Sequence, residues 1–422
     1  MNARALAIVA AAIAFALNAT SATAQSSAEK PGDKARSPLS EQQQKQPMVF
    51  YLAKGEANAC GEGCNEWIAA DGYIDLGAAQ RLKNFLNRNT GRNLPIYFAS
   101  PGGLLADALA IGRLLRARGM TAGVATTVPL GCIPAREKDD ACRALKRSGS
   151  ELAAELRSMG ASCNSACVYA FLGAKVRQMP PGAHLGVHSG RLVRVSTDGR
   201  VKGGPQDRSA ASQKAKTAEF EAQIRRYTRE MDVDPGLIDL ALKIPFEQVR
   251  YLSRDEIASY GIDRRGFQET RWITADTRRS PLAVFKLLTE AKGSDGGEFR
   301  TSFIRLACGS PTEVTVAYVR GLASSEVGRT TAIKVTSGDR DLAFPRAGRQ
   351  SKIAAVDEGA TFDTRLLLAP IEFFEAAAAS GRIDITESNP TAGAQAGRVS
   401  KLSTAGLRDA IDALRARCGS AP

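Results

Sequence analysis

The chain has 422 residues, of which 44% are hydrophobic and 24% charged. That is enough for two domains with cores of their own, and it is not the composition of a disordered or collagen-like chain. The formal net charge is +13, but its densest stretch, Arg191 to Arg229, lacks the interleaved aromatics of a nucleic-acid platform, so the expectation is no nucleic acid and a solvated basic face near an anionic envelope surface or an acidic partner.

In chain order, Arg4 precedes an apolar run from Ala5 to Leu17, and Ala22-Thr23-Ala24 follows. A charged start, a short apolar region and small residues at a cleavage point predict a signal peptide over residues 1–24. The protein is then expected in the periplasm or outside the cell; an uncleaved membrane anchor is the competing reading. Residues 25–47 are rich in Ser, Gln, Lys and Pro and read as a disordered spacer. Export gives meaning to the eight cysteines, Cys60, Cys64, Cys132, Cys142, Cys163, Cys167, Cys308 and Cys418. An even number in an oxidising compartment predicts disulfides. Cys60/Cys64 and Cys163/Cys167 have spacing that zinc could use, but no histidine lies near Cys60, and neither a metal nor a cofactor is expected.

Met48 to Ala53 reads as a first strand, and Ala78 to Asn89 as an amphipathic helix with Leu82, Phe85 and Leu86 on one face. Leu94 to Ala99 is a continuous apolar strand, as in a buried parallel sheet. The helix after Gly103 carries Leu104, Ala108, Ile111 and Leu115 on one face and ends at Gly119. Thr121 to Val128 completes a βαβ unit. Pro129 to Gly160 breaks this rhythm and reads as an insertion with a polar helix, lying over the edge of the sheet. Then come a helix from Ser165, a strand from Leu185 to His188, a long polar helix from about Ala210 to Glu230 and a closing helix ending at Gly261.

The texture changes near Thr270. Residues 48–268 therefore read as an α/β domain, and residues 270–422 as a C-terminal accessory domain, α+β or β-sandwich-like. Ile304, Leu306 and Cys308 share one strand face, and Leu407, Ile411, Leu414 and Cys418 share one helix face. Both cysteines point inward, which predicts a Cys308–Cys418 bridge.

The chemistry concentrates between Ser162 and His188. Ser165 stands where small polar residues give way to the apolar run Ala166 to Leu172. Only two histidines exist, His184 and His188, so a serine nucleophile with a histidine base has almost nowhere else to find that base. Ser100-Pro101-Gly102-Gly103 lies between a strand and a helix, where backbone donors could receive an oxyanion. Taken singly, a serine before a helix is more often an N-cap and Pro-Gly-Gly more often a turn.

Several blocks occur together in a known order. Ala70-Asp71-Gly72-Tyr73-Ile74, Phe98-Ala99-Ser100-Pro101-Gly102-Gly103, Ser165 through Arg177, Leu185-Gly186-Val187-His188 and Leu252-Ser253 through Gly261-Ile262 resemble the ClpP/crotonase-like superfamily, specifically the Clp protease proteolytic subunit and its exported homologues. The chain is most similar to periplasmic proteins bearing a Cys-x-Ser-Ala-Cys block. The resemblance covers a little under half of the chain. It implies a βαβ core with a parallel sheet, Ser165 as nucleophile, His188 as base, and the N–H groups of Gly102 and Ala166 as oxyanion hole. The implied reaction is acyl transfer to water on a peptide or protein substrate, in a family whose members often assemble into oligomers.

One position departs from the pattern. The family's aspartate aligns with Val249, which leaves Glu247 or Gln248 as the candidate acid. A degenerate binding or scaffold protein of the cell envelope is therefore the alternative reading. A serine–lysine dyad using Lys202 is another, and CoA-dependent crotonase chemistry is disfavoured outside the cytoplasm. Cys163 and Cys167 flank Ser165 and are read as structural, tying the serine turn to the Cys132–Cys142 insertion, rather than as thiol nucleophiles.

Overall fold

A computed structural model describes residues 46–132, 139–190, 194–195, 201–202, 210–277, 280–291, 298–322, 326–327, 331–346, 348–352, 361–388 and 398–419. The expected signal peptide, and the spacer up to residue 45, lie outside the described residues. Among the described residues, no helix is long and apolar enough to cross a membrane.

The first half runs β1 (Val49–Lys54), β2 (Glu66–Asp71), α1 (Ala78–Arg88), β3 (Ile96–Ala99), α2 (Leu105–Ala117), β4 (Thr121–Val124), β5 (Thr126–Pro129), α3 (Asp140–Lys146) and β6 (Leu152–Arg157). It continues with β7 (Ser162–Asn164), α4 (Ala166–Leu172), β8 (Val176–Gln178), β9 (His184–Val187), β10 (Arg194–Val195), β11 (Val201–Lys202), α5 (Ala210–Glu230), α6 (Gly236–Leu242), β12 (Arg250–Tyr251) and α7 (Arg254–Ser259).

The main sheet has the order β5-β6-β1-β2-β3-β4-β8. Its β2–β3, β3–β4, β4–β8 and β1–β6 pairs are parallel. The fold is therefore α/β with a mostly parallel sheet. Ile96 and Phe98 on β3 are fully buried, which explains the continuous apolar run there. α1 buries Ala78, Leu82 and Leu86, and α2 buries Ala108, Leu109, Ile111 and Leu115. α2 packs on α4 with the backbones nearly touching. A methyl group on Gly173 would lie 2.1 Å from the Cα of Gly112, so only glycines let these helices approach so closely.

The insertion differs from its sequence reading. Instead of lying over the sheet edge, it supplies β6, which pairs with both β1 and β5. Its sequence, LAAELR, is rich in good helix formers. Leu152, Ala154 and Leu156 are nonetheless buried at alternate positions, and burying that period-2 face outweighs helix propensity.

A small second sheet, β12-β9-β7, sits beside the main one. β7 and β9 are parallel, with Asn164 opposite Gly186, and β7 joins the loop after β3 through a Ser100–Cys163 bridge. This sheet carries the candidate site.

The second half runs β13 (Phe267–Glu269), β14 (Ile273–Thr277), β15 (Ser280–Ala291), β16 (Phe299–Cys308), β17 (Glu313–Leu322), β18 (Ala332–Ser337), β19 (Arg340–Ala343), β20 (Arg349–Lys352), β21 (Thr361–Pro370), α8 (Ile371–Ser380), β22 (Arg382–Ser388), β23 (Arg398–Ser403) and α9 (Leu407–Gly419). It forms two antiparallel sheets, β13-β15-β16-β17-β21-β20 with β14 on β15, and β19-β18-β22-β23. α8 and α9 pack on one another and on these sheets, giving an α+β arrangement. Its apolar core runs from Trp272 to Cys418, whereas the largest core of the first half runs from Met48 to Ile262.

A buried charge cluster joins the two sheets. Glu387 on β22 accepts hydrogen bonds at 3.0 Å from Arg300 and Arg320 and at 2.7 Å from the Tyr318 hydroxyl. Arg320 also donates to Asp363, which pairs with Arg365. The two halves meet where Asp255 accepts from the Phe299 N–H at 2.8 Å and the Arg254 guanidinium lies over the Phe299 ring.

Four disulfides are formed: Cys60–Cys64, Cys132–Cys142, Cys163–Cys167 and Cys308–Cys418. The expected tie between the Ser165 turn and the insertion is absent, because each of those pairs closes locally.

Candidate active site

Ser165 follows β7 and immediately precedes α4. Its backbone has φ 55° and ψ −124°, a sparsely populated conformation for a residue with a side chain, costing about 1–3 kcal/mol. The ordinary N-cap alternative does not apply, since the Ser165 side chain makes no cap hydrogen bond. An N-cap serine would be extended and would accept from the helix's first turn. Here the turn is fixed by the Ser165 N–H donating to the Gly186 carbonyl at 2.7 Å and by the Val168 N–H donating to the Ser165 carbonyl at 3.0 Å. Among the described residues the hydroxyl has no hydrogen-bond partner, and it stands at the wall of a cavity.

His188 lies just past β9, the parallel neighbour of β7, and lines that same cavity. Its volume is about 350 Å³, and Tyr73, Leu104, Phe220, Ile224 and Phe246 give it an apolar wall. Among the described residues, no direct hydrogen bond joins the Ser165 hydroxyl to His188. Phe246 meets the imidazole edge-to-face at 5.1 Å. Nδ1 lies 2.7 Å from the Ser189 carbonyl oxygen. A carbonyl only accepts, so Nδ1 carries a proton, and in the neutral ring Nε2 then keeps its lone pair. That is the tautomer a general base requires.

The remaining calls from the sequence fall differently. Glu247 and Gln248 are exposed, and no hydrogen bond or ion pair joins either to His188. The 245–248 turn directs Phe246 inward and so places its neighbour in solvent. Val249 packs beside Gly186 and Asn164, so the aligned acid position holds an apolar side chain. His184 is exposed, stacks on Tyr251 and is absent from the cavity wall. Lys202 is in β11, and its side chain lies outside the described residues.

The Pro-Gly-Gly loop abuts the serine. A methyl group on Gly102, at φ 105°, would sit 2.6 Å from the Asn164 carbonyl and 2.7 Å from the Ser165 Cβ. Only glycine fits this approach. Yet the Gly102 N–H is already engaged, donating to the Ser100 hydroxyl at 3.1 Å. The Ala166 N–H, at the first position of α4, has no intrahelical acceptor, as at any helix start. Sequence reasoning passed over Ser100, Phe246 and the Ser189 carbonyl. Ser100 stood in a quoted block but was valued for its neighbours, Phe246 lies beside the acid candidates and carries no charge to draw notice, and a backbone carbonyl leaves no residue-type signal. Asn164 was missed too: it is buried beside Ser165, and among the described residues its side-chain oxygen has no hydrogen-bond partner.

Behind the site, Arg177 fixes the far end of α4. It donates to the carbonyls of Leu172 (2.9 Å), Met231 (2.8 Å), Gly261 (3.0 Å) and Ile262 (2.6 Å). Removal from water pushes its pKa down to about 10, which leaves it charged at neutral pH. Burial pushes the Tyr169 phenol, on the cavity wall, up to about 12. Among the described residues, no group of three His, Cys, Asp or Glu side chains is placed to hold a metal ion.

No protein-family model and no curated protein matches this chain. Among solved structures it is similar to a variant of the 1510-N membrane-bound stomatin-specific protease in complex with a substrate peptide, with 18% identity over 44% of this chain and 65% of that one, at a TM-score of 0.27. It is also similar to ClpP1 from Listeria monocytogenes, with 14% identity over 45% of this chain and 84% of that one, again at 0.27. The match spans just under two thirds of the first of these proteins. Similarity this low carries no argument about activity, which rests on the residues themselves.

Proposed function

We propose that this chain is an exported serine hydrolase, a peptidase in which Ser165 attacks the substrate carbonyl and His188 accepts its proton. The observation that carries the reading is the backbone of Ser165. Glycine would make the same reversal without strain; a serine there, its hydroxyl uncapped in a cavity shared with the only nearby imidazole, is a cost that a nucleophile explains. In this mechanism Nε2 takes the serine proton, and the Ser189 carbonyl holds the ring and its tautomer in place of a carboxylate. The Ala166 N–H, together with that of Gly102 once released from Ser100, faces the developing oxyanion. The apolar wall takes a hydrophobic part of the peptide.

Two observations favour a second reading, a catalytically silent ClpP-like binding protein of the envelope. Among the described residues no carboxylate supports His188, and the Gly102 N–H is occupied by Ser100.

A fluorophosphonate probe separates them. The hydrolase reading expects a covalent adduct that is lost in Ser165→Ala and formed about 10²–10⁴-fold more slowly in His188→Ala. A folded native chain that forms no adduct, and binds peptides equally well with and without the Ser165 hydroxyl, would replace it with the binding reading.

A further inference from the structure

We propose that the Cys163–Cys167 disulfide is the clamp that positions Ser165, so that the site is assembled only in the oxidised chain. This deepens the hydrolase reading and rests on it for its functional meaning. Cys163 is on β7, held opposite Leu185 of β9 and bridged to Ser100. Cys167 is the second residue of α4 and packs in the core. Both are fully buried, and their Cα atoms are 5.3 Å apart. Only Asn164, Ser165 and Ala166 span that gap.

An extended residue advances the chain by roughly 3.3–3.6 Å, so a relaxed, extended Ser165 drives the strand end and the helix start apart. The reversal that keeps them together is the conformation Ser165 adopts, φ 55° and ψ −124°. Two backbone hydrogen bonds hold that conformation from outside the loop; the covalent link holds it from within. Ser165 and Ala166, inside the loop that this pair closes, line the cavity, whereas no described residue of the 60–64, 132–142 or 308–418 loops does, so this dependence belongs to one pair.

The step that completes the site is a thiol–disulfide exchange. The two thiols give up two electrons and two protons to a protein-disulfide oxidant, which leaves as its dithiol. Because the finished bond is sealed in the core, reductants reach it only through local opening. It acts as an assembly step taken once, which keeps the reduced nascent chain from hydrolysing its surroundings.

The test compares the full native chain with Cys163→Ala/Cys167→Ala and, as control, Cys60→Ala/Cys64→Ala. It reads the fluorophosphonate labelling rate and the amide hydrogen exchange of residues 165–168. Without the clamp, labelling falls about 10²-fold and exchange over 165–168 rises at least about tenfold, while the control matches the native chain on both. If the first variant does not fold, Cys163→Ala/Cys167→Val, which restores buried volume, carries the same comparison. Native protection of 165–168 in a folded clampless variant overturns the proposal, whatever the labelling. If the native chain is never labelled, the hydrolase reading fails alone and the exchange data still decide the clamp.

Discussion

His188 Nδ1 is held 2.7 Å from the carbonyl oxygen of Ser189, the next residue in its own chain. This contact does half of what a catalytic carboxylate does. It selects the tautomer and orients the ring, but a neutral dipole stabilises an imidazolium less than a full negative charge. A hydrolase built this way is slower than one with a complete triad, and its rate depends on the geometry of the backbone around Ser189, whose N–H is anchored to the Ile244 carbonyl at 2.8 Å.

On the hydrolase reading, the Ser100 hydroxyl, which accepts from the Gly102 N–H at 3.1 Å, competes with the substrate for that donor. Ser100→Ala removes a neutral hydrogen bond worth about 1 kcal/mol and frees the donor. Acylation by an activated ester is expected to become about fivefold faster. A rate that falls instead would mean that Ser100 supports the loop in its working form.

Ser165→Gly and Ser165→Ala both remove the nucleophile, yet they should differ in stability. Glycine adopts φ 55°, ψ −124° with little strain, whereas alanine keeps it. The glycine variant is expected to be more stable than the alanine variant by about 1–2 kcal/mol in denaturant melts. Equal midpoints would show that the turn is not strained.

Gly102→Ala tests the close approach of the loop. The added methyl meets backbone, the Asn164 carbonyl at 2.6 Å, as well as Ser165 Cβ, and backbone cannot rotate away. A loss of about 2–4 kcal/mol is expected, with labelling of Ser165 lost in whatever fraction stays folded. Thermal melts and labelling of the folded fraction check both.

In the second half, burial opposes the charge on Glu387, but Arg300, then Arg320 and the Tyr318 hydroxyl, outweigh it and hold the carboxyl below its ordinary value. A depressed carboxylate stabilises the fold above its unfolded pKa, and that stability is lost as the pH falls through the folded value. Acid melting of this half should therefore steepen below about pH 4. Glu387→Gln should remove that steepening and cost about 3 kcal/mol at neutral pH, because two buried guanidinium groups each lose one charged partner and keep another, Arg300 with Glu290 and Arg320 with Asp363.

The Cys308–Cys418 bond closes a loop with a sequence separation of 110. Replacing both cysteines with alanine should lower stability by about 4–5 kcal/mol on chain-entropy grounds. The effect is expected in the transition of the C-terminal core, with fluorophosphonate labelling of Ser165 unchanged.

The parts of this molecule that were legible from sequence are those in which side-chain type and spacing carry the information. The apolar run from Leu94 to Ala99 reads directly as a buried strand, and the strand forms over Ile96–Ala99. The faces bearing Cys308 and Cys418 follow from periods of two and near four. The passage from Asn164 to Ala166 reads as a switch into an apolar helix. Elsewhere other forces decided. β6 is written in helix-forming residues and became a strand through burial of Leu152, Ala154 and Leu156. Arg300, Arg320 and Glu387 carry no signal in the sequence, because charge alone does not reveal that its partners lie on another sheet. The turn at Pro245 turned its phenylalanine, not its glutamate, toward His188, a choice made by the apolar cavity and not by local propensity.

Arg177 gathers carbonyls from Leu172, Met231, Gly261 and Ile262, and the last two lie more than eighty residues further along the chain. The helix that follows Ser165 is therefore finished late in synthesis. While the first half is still emerging, Arg177 has only local acceptors, and α4 lacks the brace that sets its far end. A chain cut before Gly261 keeps the serine, the histidine and the oxyanion loop, yet loses the stop against which the helix is seated. Readiness of the front of the site is timed by the arrival of its back.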